Sequence, residues 1–440
     1  MFSFIFIYTF LLMGAAGINP WKPINEMYID PMHHQNIKNT LQSIKNGSLS
    51  ANDRIIANMH QSMSSSSAYW LDKKTKIDSI KHILDDMTAS SFKSISFIIY
   101  NLPNRDCKAL ASNGEICCNT KSECNQYCNS ECQKSSVDCD AGLNEYKKNY
   151  IDKIYNIITD TKYNDLRKIF VIEPDSLPNC VTNLNAGGCT NTTCQAYIEG
   201  IEYAITVLSN VSNTFLYLDA GHGGWLGWND NMMRFIKLIQ KLSLEKIRGF
   251  ATNTANYQPL GVACLWNSST SYNDRIQQCK TSNHICCNDP CKLNTQYNLA
   301  NNELNYVQLL SEASSEISFR TKDKRPRFVI DTGRNGNESA RIGTDECKIW
   351  CNVNHAKIGK YPTTETPLPY IDAYAWLKTP GESDGCIDRE KQFRCGIPSQ
   401  CIRYDPDCGN YPQNIGYDSE QPCPPEAGLW FDYQFVQLND

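Results

Sequence analysis

Ile169-Phe-Val-Ile-Glu-Pro-Asp175 is a short apolar run that stops in two carboxylates, and the same grammar recurs along the chain. Ile95 to Tyr100 precedes Asn101-Leu-Pro-Asn-Arg-Asp106, Thr214 to Leu218 precedes Asp219-Ala-Gly-His222, and Gly249-Phe-Ala251 precedes Thr252-Asn253. Arg327 to Ile330 precedes Asp331-Thr-Gly-Arg334, and Tyr370 to Leu377 precedes Lys378 to Asp384. Between these runs lie Leu143 to Ile158, Gln195 to Leu208 and Asn302 to Ile317, whose apolar residues return every three or four positions, as in a helix buried on one face. Strand alternating with helix implies an α/β protein with a parallel sheet. Polar residues gathered just after the strands imply an active-site face at their carboxyl ends.

Composition agrees with one large globular unit. Of 440 residues 41% are hydrophobic, and Gly and Pro number only 24 and 19, which excludes collagen-like and low-complexity chains. The net charge is −5 and Lys and Arg form no run, so the phosphate-neutralising footprint of a nucleic-acid binder is missing and no nucleic-acid partner is expected. Phe2 to Met13 has the length of a signal-peptide core and is followed by the small residues Gly14 to Gly17. We read 1–17 as a secretory leader and 18–440 as a single catalytic domain, with no membrane span and a secreted, extracellular product. All 22 cysteines lie at or after Cys107, an even number in that compartment, which favours disulfides, up to eleven of them. Cys124, Cys128 and Cys132 also have metal-like spacing, but the reading assigns no metal site. Sequons at Asn46, Asn191, Asn210, Asn267 and Asn337 permit glycosylation.

An isolated Asp after a strand is more often a turn or helix-capping residue than a catalyst. A set of carboxylates with Tyr and Trp nearby and few His is different, because it suits protonation of a leaving oxygen beside stacked sugar rings. Trp70, Trp225, Trp228 and Trp350 all stand among polar loop residues, where an aromatic face can meet the C–H face of a pyranose. Carbohydrate is the substrate class these residues indicate.

The motifs resemble glycoside hydrolase family 6, the inverting cellulases. The resemblance begins at Asn19-Pro-Trp21 and Tyr69-Trp-Leu-Asp72 and sharpens at Tyr100-Asn-Leu-Pro-Asn-Arg-Asp-Cys-Lys-Ala-Leu-Ala-Ser-Asn-Gly-Glu115 and Val171-Ile-Glu-Pro-Asp-Ser-Leu177. It continues through Tyr217-Leu-Asp-Ala-Gly-His-Gly-Gly-Trp-Leu-Gly-Trp228, Thr252-Asn-Thr-Ala-Asn-Tyr257, Asp331-Thr-Gly-Arg-Asn-Gly336, Lys378-Thr-Pro-Gly-Glu-Ser-Asp-Gly385 and Pro425-Glu-Ala-Gly-Leu-Trp430. It implies a distorted, TIM-like, seven-stranded parallel α/β barrel, here with disulfide-stapled loop insertions. It implies Asp175 as general acid, Asp106 as the carboxylate that raises the acid's pKa, Asp384 as the position of the disputed base, Ser112 as a holder of the attacking water, and Tyr100 as the residue beside the distorted ring. Substrate contacts implied in the same way are Trp70, Asp72, Asp219, His222, Trp225, Trp228, Asn256, Arg334, Trp350, Lys378 and Glu382. Cys107 and Cys189 resemble one family disulfide, and Cys351 half of another whose partner is Cys408 or Cys423.

The resemblance further implies hydrolysis of β-1,4-glucosidic bonds in cellulose and cello-oligosaccharides, without cofactor, by a protein expected to be a monomer. Two loops roof the cleft in the family's cellobiohydrolases, and the second is long here, 41 positions from Asp384 to Pro425, so the expectation is release of cellobiose from non-reducing ends. The alternatives are an endoglucanase, a silent cellulose-binding protein that would have lost the carboxylates, and a cysteine-rich adhesion protein that would not need the motifs. Where many relatives carry Asp, this chain has Asn101 and Asn104, which removes up to two negative charges near Asp106.

Overall fold

The computed structural model describes residues 17–121, 124, 128–267, 269–386, 403, 405, 408 and 422–440. Residues 1–16 of the leader read in 1–17 and most of the long loop after Asp384 therefore lie outside the described residues. Seven strands form one sheet in sequence order: β1 (Tyr69–Leu71), β2 (Ser94–Ile99), β3 (Arg167–Ile172), β4 (Thr214–Asp219), β5 (Gly249–Thr252), β6 (Arg327–Asp331) and β7 (Ile371–Ala375). Every neighbouring pair is parallel. The sheet curls until β1 and β7 approach, where an isolated parallel bridge between Ser67 and Trp376 links the two edges.

Both faces of the sheet are covered, which is why its strands read as unbroken apolar runs and not as alternating ones. In β3, Ile169 and Val171 belong to the cluster inside the barrel, while Phe170 and Ile172 pack outward under the helices. In β4 the split is Phe215 and Tyr217 against Leu216 and Leu218. Trp21, from the segment before the barrel, is buried in the interior cluster. Its Nε1 donates to Tyr217 Oη at 3.2 Å, and that hydroxyl donates to Asp372, which also pairs with the buried Arg248.

The helix expected over Leu143 to Ile158 is interrupted. α-Helix at Asp140–Tyr146 and at Asp152–Ile158 flanks a π-helical turn at Lys147–Ile151. Such turns are frequent at functional sites, and this one belongs to the wall under the cleft: Tyr150 Oη accepts from the Tyr100 amide and donates to the Leu71 carbonyl. The helix read from Gln195 starts at Asn191, capped by Thr190, whose hydroxyl accepts from the Thr193 amide. The helix read from Asn302 is Glu303–Ala313, with Asn302 as its cap.

Nine disulfides join described cysteines, and no described cysteine is free. Cys107 pairs with Cys189 as expected, and Cys351 takes Cys408. Cys124, Cys128 and Cys132, the metal-spaced trio, are each spent in a disulfide, so none offers a thiolate. Among the described residues no helix is long and apolar enough to cross a membrane.

Candidate active site

The carboxyl ends of the strands open into a cavity of about 670 Å³. Three carboxylates at the strand ends tie the loops around it. Glu173, after β3, accepts from the amides of Asn101 (3.1 Å) and Leu102 (3.4 Å) and from Tyr146 Oη (2.9 Å), so it clips the loop after β2 to the loop after β3. Asp219, ending β4, accepts from the amides of Asp175 (3.1 Å) and Gly221 (3.0 Å). Asp331, ending β6, accepts from Gly333 (2.9 Å), Ala255 (2.9 Å) and Lys378 (2.8 Å) amides, joining the loops after β5, β6 and β7. Burial pushes these groups up, Glu173 to about 7 and Asp219 and Asp331 to about 6, against the donors that favour their charged forms.

With the loops tied, Asp106 and Asp175 are among the carboxylates that line the cavity. Asp106 and Asp175 both sit in the left-handed region, with φ of 55° and 64°. Non-glycine residues hold that region at a cost of about 1–3 kcal/mol, which persists where the surroundings over-determine it. Asp106 is buried and raised to about 7, by burial first, with Arg105, the Ala109 amide and Ser112 acting the other way and Asp405 adding to the rise. Asp175 is held well above the ordinary carboxylate range by burial and then by the negative charges of Asp219, Asp106 and Asp384. Tyr100 Oη lies 3.4 Å from Asp106 Oδ2, and Ser112 lines the same wall.

Asp384 presents the opposite chemistry. Arg334 Nη1 donates to both its oxygens at 2.8 Å, Tyr257 Oη donates at 2.6 Å and the Asn352 amide at 2.8 Å. These four donor contacts, two of them from a buried guanidinium, occupy its oxygens.

Aromatic walls flank these groups. Trp70 packs edge-on to Tyr100 with ring centroids 5.2 Å apart, its Nε1 bonded to the Leu377 carbonyl, and Lys378 Nζ lies 5.3 Å above its ring. Lys378 pairs with Glu382 at 3.2 Å. Asp72 pairs with Lys76 at 2.6 Å; burial opposes its ionisation, but Lys76 and Arg105 outweigh burial and hold it below the usual range. Trp225 is fixed by a bond from Nε1 to Thr182 Oγ1 (2.7 Å), with the His222 ring 6.0 Å away. Burial and then Arg341 hold His222 at about 3, hence neutral. Asn256 and Trp350 also line the cavity.

Of the residues expected from the sequence, Trp70, Asp72, Tyr100, Asp106, Ser112, Asp175, His222, Trp225, Asn256, Trp350, Lys378, Glu382 and Asp384 line this one cavity. Asp219 and Arg334 stand behind its wall, the first bonded to the Asp175 backbone and the second paired to Asp384. Trp228 lies outside the lining, its Nε1 bonded to the Gln296 carbonyl. Sequence reasoning missed Arg105, whose guanidinium donates to the carbonyls of Tyr100, Asp72, Ser112 and Asn113 and covers the Tyr100 ring at 4.3 Å. Its place inside Asn101 to Asp106 was the available signal. Also missed were Tyr257, quoted only as part of a motif, and Arg403 and Asp405 of the second loop. Arg403 donates to the Asn113 carbonyl (2.9 Å) and Asp405 accepts from the Leu110 amide (2.7 Å), so the second loop touches the first beside Asp106.

A parallel barrel whose strand ends set proton-holding carboxylates between tryptophans has the construction of an α/β-barrel glycosidase. Comparison with known proteins narrows the class. Residues 23–130 and 125–440 match the model of Glycosyl hydrolases family 6. The chain is 32% identical over 436 residues to 1,4-beta-D-glucan cellobiohydrolase C of Emericella nidulans, covering 97% of this chain and 78% of that one. It is 32% identical over 430 residues to Exoglucanase 3 of Agaricus bisporus, covering 97% and 79%. The catalytic core of the cellobiohydrolase Cel6A from Chaetomium thermophilum superposes with a TM-score of 0.69 at 29% identity, over 96% of this chain and 98% of that one. Cellobiohydrolase II from Humicola insolens, solved with glucose and cellotetraose, gives 0.70 at 26% identity over 96% and 98%. The chain belongs to glycosyl hydrolase family 6.

Proposed function

We propose that the protein hydrolyses β-1,4-glucosidic bonds of cellulose with inversion and releases cellobiose from non-reducing chain ends. The observation that carries this reading is that one cavity is lined by two carboxyl groups with different partners: Asp175, whose proton is held by burial and three neighbouring negative charges, and Asp384, ion-paired to Arg334. Asp175 protonates the glycosidic oxygen, with Asp106 keeping that proton in place as a like charge. Asp384 stands on the water side. Its lone pairs are occupied by Arg334, Tyr257 and Asn352, which supports action through a chain of waters in place of direct contact. Inversion needs space for water between acid and base, roughly 6.5–9.5 Å between carboxyl groups. Tyr100 and Ser112, beside Asp106, take the places for ring distortion and for holding water. Trp70, Trp225 and Trp350 are the sugar platforms within the cavity, Trp228 one outside it, and Asp72, His222, Asn256, Lys378 and Glu382 bind hydroxyls. Asp219 and Arg334 support from behind.

End-directed action is supported by the contact of the second loop with the first through Arg403 and Asp405, and by relatives named cellobiohydrolase and exoglucanase. The disulfides fit an extracellular protein, and we take 1–17 as a leader and 18–440 as one domain acting as a monomer. The test is the ratio of soluble to insoluble reducing ends released from amorphous cellulose. A high ratio dominated by cellobiose is expected; a low ratio with mixed oligomers would mean internal cleavage. Asp175→Asn should abolish hydrolysis while cello-oligosaccharide binding persists, and undiminished turnover would refute the acid assignment.

A further inference from the structure

The segment from Cys117 to Cys139 carries six cysteines that pair only with one another, Cys117 with Cys128, Cys118 with Cys139 and Cys124 with Cys132. Its inner side lies against the turn that presents Asp106. Asn104 donates its amide to the Ile116 carbonyl at 3.0 Å, and its Oδ1 accepts from the Cys118 amide at 2.9 Å. Gln133, fully buried on the short helix Ser130–Lys134, reaches further in: its Nε2 donates to the Arg105 carbonyl at 3.3 Å and to the Cys128 carbonyl at 3.2 Å. The Arg105 carbonyl belongs to the peptide whose nitrogen is that of Asp106. Asn113 Nδ2 approaches the same oxygen only at 3.5 Å. Behind the amide the space is closed by Gly188, where a Cβ would come within 2.0 Å of Gln133 Oε1, and Gly188 itself donates to the Cys107 carbonyl at 2.7 Å.

This arrangement has a mechanical consequence. Asp106 is held at a positive φ, which is costly for a non-glycine residue and persists where the surroundings over-determine it. Arg105 holds the turn from the cavity side through its guanidinium, and Gln133 holds it from the far side through the peptide oxygen. We propose that Gln133 is a positioning residue for hydrolysis: from the disulfide-stapled insertion it fixes the Arg105–Asp106 peptide and thereby the direction in which the Asp106 carboxylate faces Asp175. The three internal disulfides tie the described residues of the insertion to one another behind that amide, as a precise site requires of its supporting groups. The inference rests on the hydrolase reading above.

Gln133→Met keeps length and bulk and deletes the donor. Expected on soluble cello-oligosaccharides is a fall in kcat of about tenfold with KM within about twofold, since a displaced catalytic group costs rate before binding. The alkaline limb of the kcat profile should also move toward acid pH, because Asp175 loses part of the like charge that holds its proton. Asn119→Ala cuts an exposed bond inside the insertion, Asn119 Nδ2 to Ser135 Oγ at 2.7 Å, without touching the turn, and should keep wild-type kinetics. If the methionine variant does not accumulate, Gln133→Glu replaces it: its carboxyl has one proton to donate, to one of the two carbonyls and only while protonated, so its activity relative to wild type should rise as pH falls. A Gln133→Met enzyme with wild-type kcat and pH profile overturns the proposal, whatever its melting temperature, as does an equal loss in Asn119→Ala. Wild-type turnover in the same assay is the reference, and its absence would refute the hydrolase reading instead.

Discussion

Replacing Asp106 by Asn should make the protein more stable while making it less active, and the gain in stability should exist only above acid pH. In the unfolded chain an Asp loses its proton near 3.8, whereas in the fold Asp106 is raised to about 7. Between those two values the unfolded state is ionised and the native state still holds the proton, so stability falls with rising pH. Each unit of that window costs about 1.4 kcal/mol, and the full window about 4 kcal/mol. Relaxation and water reaching the cavity reduce this to about 2–4 kcal/mol. Asn removes the ionisable group but retains an oxygen for the Ala109 amide and the Ser112 hydroxyl. With an unfolding entropy near 2.1 cal/mol/K per residue, a chain of this length gains about 2–4 °C in Tm. The assay is a pair of thermal melts: at pH 8 the variant should melt higher than wild type, and at pH 4, close to the value at which the unfolded Asp loses its proton, the wild-type penalty is only beginning and the difference should shrink to a small fraction of that at pH 8. In parallel, kcat should fall and its alkaline limb should shift toward acid, since Asp175 loses a neighbouring negative charge. Equal melting temperatures at pH 8, or a difference that persists undiminished at pH 4, would show that Asp106 does not carry the buried proton.

Arg334→Met leaves Asp384 buried with only Tyr257 and Asn352 as donors, and breaking such a pair costs about 3 kcal/mol or more; a melting temperature lower by a few degrees and a loss of kcat are expected, and an unchanged melt would mean the pair is dispensable. Asn101→Asp sets a carboxylate about where Asn101 Nδ2 now meets Glu115 Oε1 at 3.0 Å. Two carboxylates that close cannot both ionise without cost, so the variant should lose stability at pH 8 and not at pH 4, as read by paired melts. Glu173→Gln removes one acceptor from the clip between the loops after β2 and β3; kcat should fall further than binding of cello-oligosaccharide weakens, measured by activity and by calorimetry.

The recurring strand-then-polar pattern located the cleft because it is a local property: an apolar run marks a strand covered on both faces, and polar residues mark where the chain leaves it. The same pattern did not distinguish the carboxylates. Asp175 and Asp331 both follow a strand, yet Asp175 faces the cavity while Asp331 is saturated by three backbone amides and serves as a brace. Glu173, two residues before Asp175, turns away to clip the neighbouring loop. The difference lies in the left-handed backbone at Glu173 and Asp175 and in partners more than 40 residues distant. Arg105 was overlooked for the same reason: its four acceptors come from three separate stretches of chain.

By itself, the sequence determined the alternation of strand and helix, the parallel sheet with its site at the carboxyl ends, the family, and the residues gathered there, since each follows from local periodicity or from motifs in order. Only the tertiary structure decided how the described cysteines other than Cys107 and Cys189 pair, that Asp384 is bound to Arg334 and Tyr257 while Asp106 and Asp175 are left to hold protons, and that the cysteine-rich insertion leans on the Asp106 turn. Pairing, burial and charge depend on what folding brings together across the chain, and a carboxylate's chemistry is set by those neighbours and not by its own place in the sequence.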